Sequence, residues 1–315
     1  MISLILLALL TDILVGDPRP IPHPVVIMGS LINRCERTVR KLTTSPTGLR
    51  LGGILLVFVV ISFAWLGTWT LIKLAERVHP YLGFGVHLWL LATTLAVKSL
   101  GQHAMAVAEP LTRGDLKEAR SKVAMIVGRD TDQLDDRGIT RATVETVAEN
   151  TVDGIISPLF YAFIGGAPLA MAYKAVNTMD SMIGHKDEKY RYLGWAAARL
   201  DDLANYLPAR LAGFFYPLLA VFYPGGFRAT IRTMLRDAPK HPSPNSGIPE
   251  AAVAGALGIQ LGGTNYYRGQ VSHRAVMGEE KFPLSHRHIA QALKLTYGVT
   301  ASVVAVGMVF DYLFH

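Results

Sequence analysis

Residues 51–72, LGGILLVFVVISFAWLGTWTLI, contain no charged side chain. A run of about 20 apolar residues matches the hydrocarbon thickness of a bilayer. Backbone amides in that medium must find their partners within the segment, so the run is a helix and the chain folds around a membrane. The remaining apolar segments, 84–100, 155–173, 209–223 and 295–312, repeat the theme. The last reads as a plain span. Segment 155–173 carries Pro158, Gly165, Gly166 and Pro168, and 209–223 is short. Both are therefore expected as broken or re-entrant pieces lining a polar cavity. Segment 2–15 is too short for a comfortable span and carries Asp12, an ionisable group that needs a partner there. His87, in the second segment, is expected to be a packed histidine rather than a ligand. Periodicity is helical throughout and no alternating strand pattern is visible. The expectation is an all-α integral membrane protein, one integrated domain over 1–315. Its transmembrane helices would be joined by short broken or re-entrant helices and amphipathic interfacial helices around a polar cavity.

Composition agrees. Half the residues are hydrophobic and only 17% are charged, against about 25% for a usual soluble domain. The formal charge of +7 fits the basic excess of loops flanking membrane helices. Arg34, Arg37, Arg40 and Lys41 read as an interfacial helix facing anionic headgroups, and Arg228, Arg232, Arg236 and Lys240 as another helix with a basic face. Nucleic acid is not an expected partner, because the basic residues do not cluster on a soluble module with stacking aromatics. The single cysteine, Cys35, excludes an intramolecular disulfide framework and reads as a small packed residue. The N-terminus lacks a basic leader and a small-x-small cleavage site, so it is read as retained. Between residues 101 and 127 two helices are expected, with a break at Arg113–Gly114.

Polar residues concentrate in four blocks, about 12–30, 128–153, 174–210 and 241–250. In the first, GDPRPIPHPVVIMG is a rigid proline-punctuated loop displaying Asp17, Arg19 and His23. In the second, Arg141, Glu145, Glu149 and Asp153 follow one another at intervals of four. That spacing puts them on one helix face, where like charges cost a few tenths of a kcal/mol per pair. Arg141, a bound cation or an amine-bearing substrate must offset that repulsion. The third block holds NTMDSMIGH and ARLDDLANYLPAR, and the fourth HPSPNSGIPE. No phosphate-binding GxxxxGK[ST], no HExxH and no paired cysteines occur. What remains is carboxylates, amides and arginines. Carboxylate-and-water sites suit Mg²⁺ beside substrate phosphates, and arginines recognise phosphate and carboxylate. On these grounds the chain reads as a membrane-embedded, Mg²⁺-dependent enzyme acting on a phosphorylated or carboxylated substrate.

The blocks GDPRPIPHPVVIMG, GRDTDQLDDRGI, ETVAENTVDGIISPLFY, NTMDSMIGHKDEKYRYLGWAAARLDDLANYLPAR and HPSPNSGIPEAAVAGALGIQLGG occur in this order between about Asp12 and Gly263. Together they resemble the adenosylcobinamide-phosphate synthase family of cobalamin biosynthesis (CbiB/CobD). The resemblance implies a multi-pass enzyme of the cell (inner) membrane. Such an enzyme joins adenosylcobyric acid to (R)-1-aminopropan-2-ol or its O-phosphate, with ATP as energy source and Mg²⁺ alongside. It also makes other late cobalamin-pathway membrane enzymes plausible partners.

Two groupings of residues follow. Glu145, Glu149 and Asp153, with Asn150 beside them, are expected to hold Mg²⁺ or the amine, a glutamate serving as general base. Asn177, Asp180, Asp201 and Asp202 are expected to take the nucleotide and its metal, with Asp180, Asp201 and Asp202 as the metal ligands. Arg129, Arg199 and Arg210 would meet phosphates, and Asp17, His23 and Asn245 complete the substrate-binding set. Two rivals remain at this stage. One is an intramembrane aspartate-rich prenyltransferase, which should show longer and more uniform spans. The other is a transporter or signalling protein; a transporter should show repeated halves.

Overall fold

A computed structural model describes residues 2–16, 23–185 and 187–314. Asp17 and Arg19 of the proline-rich loop lie outside the described residues. In chain order the helices are α1 (Ile2–Leu14), α2 (Pro24–Leu42), α3 (Pro46–Val78), α4 (Pro80–Ala92), α5 (Val97–Thr112), α6 (Leu116–Val123) and α7 (Asp136–Thr151). A π-helical turn, Val152–Ile156, leads into α8 (Ser157–Ile183). Then come α9 (Trp195–Ala204), α10 (Tyr206–Leu219), α11 (Gly226–Asp237), α12 (Gly247–Leu257), strands β1 (Leu261–Tyr267) and β2 (Gln270–Met277), and α13 (Arg287–Phe314).

Among the described residues four helical stretches are long and apolar enough to cross a membrane: Pro46–Val78, Pro80–Thr112, Asp136–Ile183 and Arg287–Leu313. They take in the expected segments 51–72, 84–100, 155–173 and 295–312. The fifth, 209–223, falls largely in Tyr206–Phe222, one of the shorter apolar helices. The fold is thus helical and membrane-type. The break at Arg113–Gly114 is present as well, with α5 ending at Thr112 and Gly114 at φ 74°.

The chain forms two compact units interleaved along the sequence: 1–97, 157–205 and 307–315 make one, and 98–156 with 206–306 the other. In the first, α2, α3, α8 and α9 close a core of Met28, Ile32, Leu56, Val60, Met179 and Ile183. Ser45 caps α3 by accepting from the Gly48 amide at 3.1 Å, with Pro46 in the first turn. Leu51, Leu55, Phe58 and Leu66 of α3 stay exposed; so large an uncovered apolar face is what a lipid-facing helix presents.

Two interruptions in this unit are held by side chains. Between α4 and α5 the backbone opens at 93–96. Buried Asp12 accepts from the Val97 amide at 2.7 Å, satisfying a donor at the start of α5. That is the partner the sequence demanded for Asp12. Helix α8 breaks at Gly165 and Gly166, the latter at φ 61°, a region open to glycine at little cost. His87 Nε2 accepts from the Ala167 amide at 3.1 Å just beyond the break, so His87 is a packed, structural histidine.

In the second unit α12 is buried along nearly its whole length. Its small-residue sequence permits close packing: a Cβ at Gly255 would meet the Thr230 Cα of α11 at 2.8 Å. Here the expectation of helices throughout needs correction. Residues 261–277 form an antiparallel hairpin through Arg268 and Gly269, at φ 52° and 76°. Positive φ at both turn positions is the tight turn whose twist matches paired strands. Asp130 clamps it, accepting from the Arg268 and Gly269 amides at 2.9 and 2.7 Å. The burial pattern along β1 is irregular, with a register shift between Leu261 and Gly263, which hides the usual strand alternation.

Candidate functional site

Each unit carries a polar constellation. In the second unit it grows from α7, α12, the hairpin and the loops beside them. Helix α7 starts at the Asp135 cap, whose carboxylate accepts from the Gly138 amide at 2.7 Å. Its register aims Glu145 inward, to 2% exposure. Arg129 donates to Glu145 Oε2 at 2.5 Å and to Asn265 Oδ1 at 2.8 Å, and the Gly262 amide donates to Glu145 Oε1 at 2.7 Å. Glu145 is therefore a buried carboxylate with one guanidinium and one backbone donor. The repulsion expected along the stripe is offset by Arg129 rather than Arg141. Arg141 instead donates to the Thr264 carbonyl at 3.0 Å and to Asn265 Oδ1 at 3.4 Å.

One turn on, half-buried Glu149 accepts from Ser246 Oγ at 3.2 Å. Ser246 precedes α12, and its carbonyl accepts from the Glu250 amide at 3.2 Å. Ser246 and Glu250 thus share a helix face at a spacing of four. Glu250 is 1% exposed. Its Oε1 lies 3.5 Å from His241 Nε2, and its Oε2 is buried with no hydrogen-bond partner among the described residues. Burial pushes the Glu250 carboxyl well above its ordinary value, and Glu145 and Glu149 push the same way. Burial lowers the proton affinity of His241. His241 Nδ1 lies 3.0 Å from the Ser243 amide nitrogen and 3.2 Å from the Ser243 carbonyl oxygen, accepting from the first in one tautomer and donating to the second in the other. Arg210 donates to Asn245 Oδ1 at 3.1 Å and stacks 3.3 Å over the Tyr206 ring.

In the first unit α8 and α9 bring Asn177, Asp180, Asp201 and Asp202 into one neighbourhood. Asp201 is buried, and Asn205 Nδ2 donates to its Oδ2 at 3.0 Å. Asn205 Oδ1 in turn accepts from Ser157 Oγ at 2.6 Å and from the Tyr173 hydroxyl at 2.8 Å. Burial, then the nearby Asp180 charge, raise the Asp201 carboxyl to about 7, against the opposing hydrogen bonds of Asn205 and Asn177. Among the described residues no group of three or more His, Cys, Asp or Glu side chains is arranged to hold a metal ion.

The second unit thus joins Arg129, Glu145, Glu149, Asn245 and Arg210 of the expected residues to this network. Asn150 turns back on its own helix, donating to the Thr146 carbonyl at 3.0 Å. Asp153 sits in the π turn, which takes it off the α7 register that the spacing of four implied. His23 caps α2, accepting from the Val25 amide at 3.2 Å, and Arg199 is exposed on α9. Asp17 falls outside the described residues. Glu250, His241, Ser246 and Asn265 were missed. A glutamate closing HPSPNSGIPE just before a wholly apolar small-residue run was a signal for Glu250; nothing local marks Asn265.

A family model described as CobD/Cbib protein matches residues 5–296. The cobalamin biosynthesis protein CobD of Klebsiella pneumoniae is 49% identical, covering 95% of this chain and 94% of that protein. CobD of Geobacter metallireducens is 48% identical over 98% and 96%, and CbiB of Salmonella typhimurium 48% over 96% and 94%. No solved structure gives a match. Matched along nearly its whole length by the family model and by relatives this close, the chain belongs to the CobD/CbiB family of cobalamin biosynthesis proteins.

Proposed function

We propose that the protein is a ligase of the cell (inner) membrane, acting beside other late cobalamin-pathway enzymes. It would join the propionate carboxyl of adenosylcobyric acid to the amine of (R)-1-aminopropan-2-ol O-phosphate, or of the unphosphorylated amine, and consume ATP. Family membership, together with the resemblance of the ordered blocks to adenosylcobinamide-phosphate synthase, carries this reading. In the simplest balanced route a carboxylate oxygen takes the γ-phosphoryl group and ADP leaves. The amine nitrogen then forms the C–N bond, phosphate departs with the C–O electron pair, and one N–H proton passes to a base.

The residues supply groups suited to these steps. Glu145 and Glu149 are the carboxylates for the amine, with Arg129 holding Glu145 in place. Asp153 and Asn150 flank them on the same stretch, and Asn245 and Arg210 form a polar pair beside Ser246. Asp180 and Asp201, with Asp202, are the residues that would hold Mg²⁺, and Asn177 accompanies them on the nucleotide side. Their hard oxygen donors fit an ion that brings phosphate and water ligands of its own, which needs no all-protein cage. When bound, the ion neutralises charge on the transferring phosphate. Arg199 and Arg210 offer donors for phosphate oxygens, and Asp17 and His23 belong with the substrate-binding set.

A strain depending on this gene for cobalamin tests the assignment. With the gene deleted, cobinamide should restore growth and cobyric acid should not. Growth on cobyric acid alone would overturn it.

A further inference from the structure

Glu250 was not among the residues the sequence singled out, yet it is the most deeply buried carboxylate beside Glu149. Its two oxygens have different surroundings. His241 Nε2 lies 3.5 Å from Oε1. Oε2 is fully buried and, among the described residues, has no hydrogen-bond partner. A buried oxygen left in that state costs stability. The charges around it come from every neighbouring element. Helix α7 gives Glu145 and Glu149, the segment before it Arg129, and β2 gives Arg274. On α11, Asp237 is already spent on Arg236, Lys240 and the Gly278 amide, and on α10 Arg210 is engaged by Asn245 and Tyr206.

Resting on the ligase reading, we propose that the substrate's ammonium binds at half-buried Glu149 and that the proton it must lose is received by this carboxyl cluster and held on Glu250. In that step one N–H bond breaks and its electron pair stays on nitrogen, which becomes the nucleophile. An O–H bond forms on the glutamate, and the proton returns to solvent after the amide leaves. Burial and the two neighbouring carboxylates raise the proton affinity of the Glu250 carboxyl.

The experiment follows the amine dependence of purified full-length protein with adenosylcobyric acid, Mg·ATP and aminopropanol phosphate across pH. Wild-type product formation comes first: if no amide forms from either amine, the ligase reading itself fails. With product in hand, Glu250→Gln should lower kcat roughly a hundredfold while leaving the amine KM nearly unchanged. The loss should shrink as pH approaches the amine's own pKa, where the free base is already present. Glu149→Gln should instead raise the amine KM. Glu250→Asp, which keeps an ionisable group, should retain the wild-type pH limb at reduced rate and guards against a folding defect in the first variant. A Glu250→Gln enzyme with the wild-type pH profile and rate would overturn the proposal and leave the ligase reading standing.

Discussion

The Arg129–Glu145 pair shows how far one position decides the site. Both side chains are nearly inaccessible, and a buried ion pair broken from one side strands a charge, at about 3–5 kcal/mol. Arg129→Met should therefore lower unfolding stability in detergent by about 3 kcal/mol. Adding Glu145→Gln should return much of that loss, because the stranded charge is then gone. Equal losses in the single and double variants would contradict the pairing. Glu149 has a softer environment, half-buried beside the Ser246 hydroxyl, so Glu149→Gln should keep the fold and lose most ligase activity. Full activity in that variant would end the assignment of the amine to this stripe. At this scale the sequence was informative where charge had to be compensated. The interval of four found Glu145 and Glu149, and the apolar context of Asp12 demanded a partner. It failed where the partner comes from elsewhere in the chain: nothing near Glu145 points to Asn265 or to the Gly262 amide.

Elements follow the same division. Proline, glycine and apolar length announced the α8 break and the long spans, because those features act within a few residues of themselves. The hairpin was hidden, since β1 owes its burial to packing rather than to alternation. It is fastened at two points that give separate tests. Gly269 at φ 76° tolerates a side chain poorly, so Gly269→Val should cost about 1–3 kcal/mol, read as a lower midpoint of thermal unfolding. An unchanged midpoint would contradict the turn. Asp237 is the second fastener, accepting from Arg236, Lys240 and the Gly278 amide at 2.7–2.9 Å. Despite its burial these donors hold its carboxyl below the ordinary carboxylate range. A folded-state value below the unfolded one means the unfolded chain binds the proton more readily. The stability Asp237 contributes is therefore present above the unfolded value and lost as pH falls toward the folded one. Wild type should lose stability on acidification below about pH 4 more steeply than Asp237→Asn. Parallel curves would show that the network contributes nothing.

At the level of the whole molecule, the low charged fraction and the charge-free run at 51–72 determine that the chain is a membrane protein. The division into two interleaved units was not legible, because segments 98–156 and 206–306 meet only through long-range packing. Family assignment was the most legible property, since it rests on ordered blocks that need no geometry. The ligase chemistry stands or falls on product formation. Purified protein in detergent would be incubated with adenosylcobyric acid, Mg·ATP and aminopropanol phosphate, and the corrinoid mass followed. The expected result is a mass increase equal to the amine minus water, absent when ATP is omitted. Folded protein that leaves adenosylcobyric acid unchanged with either amine would contradict it.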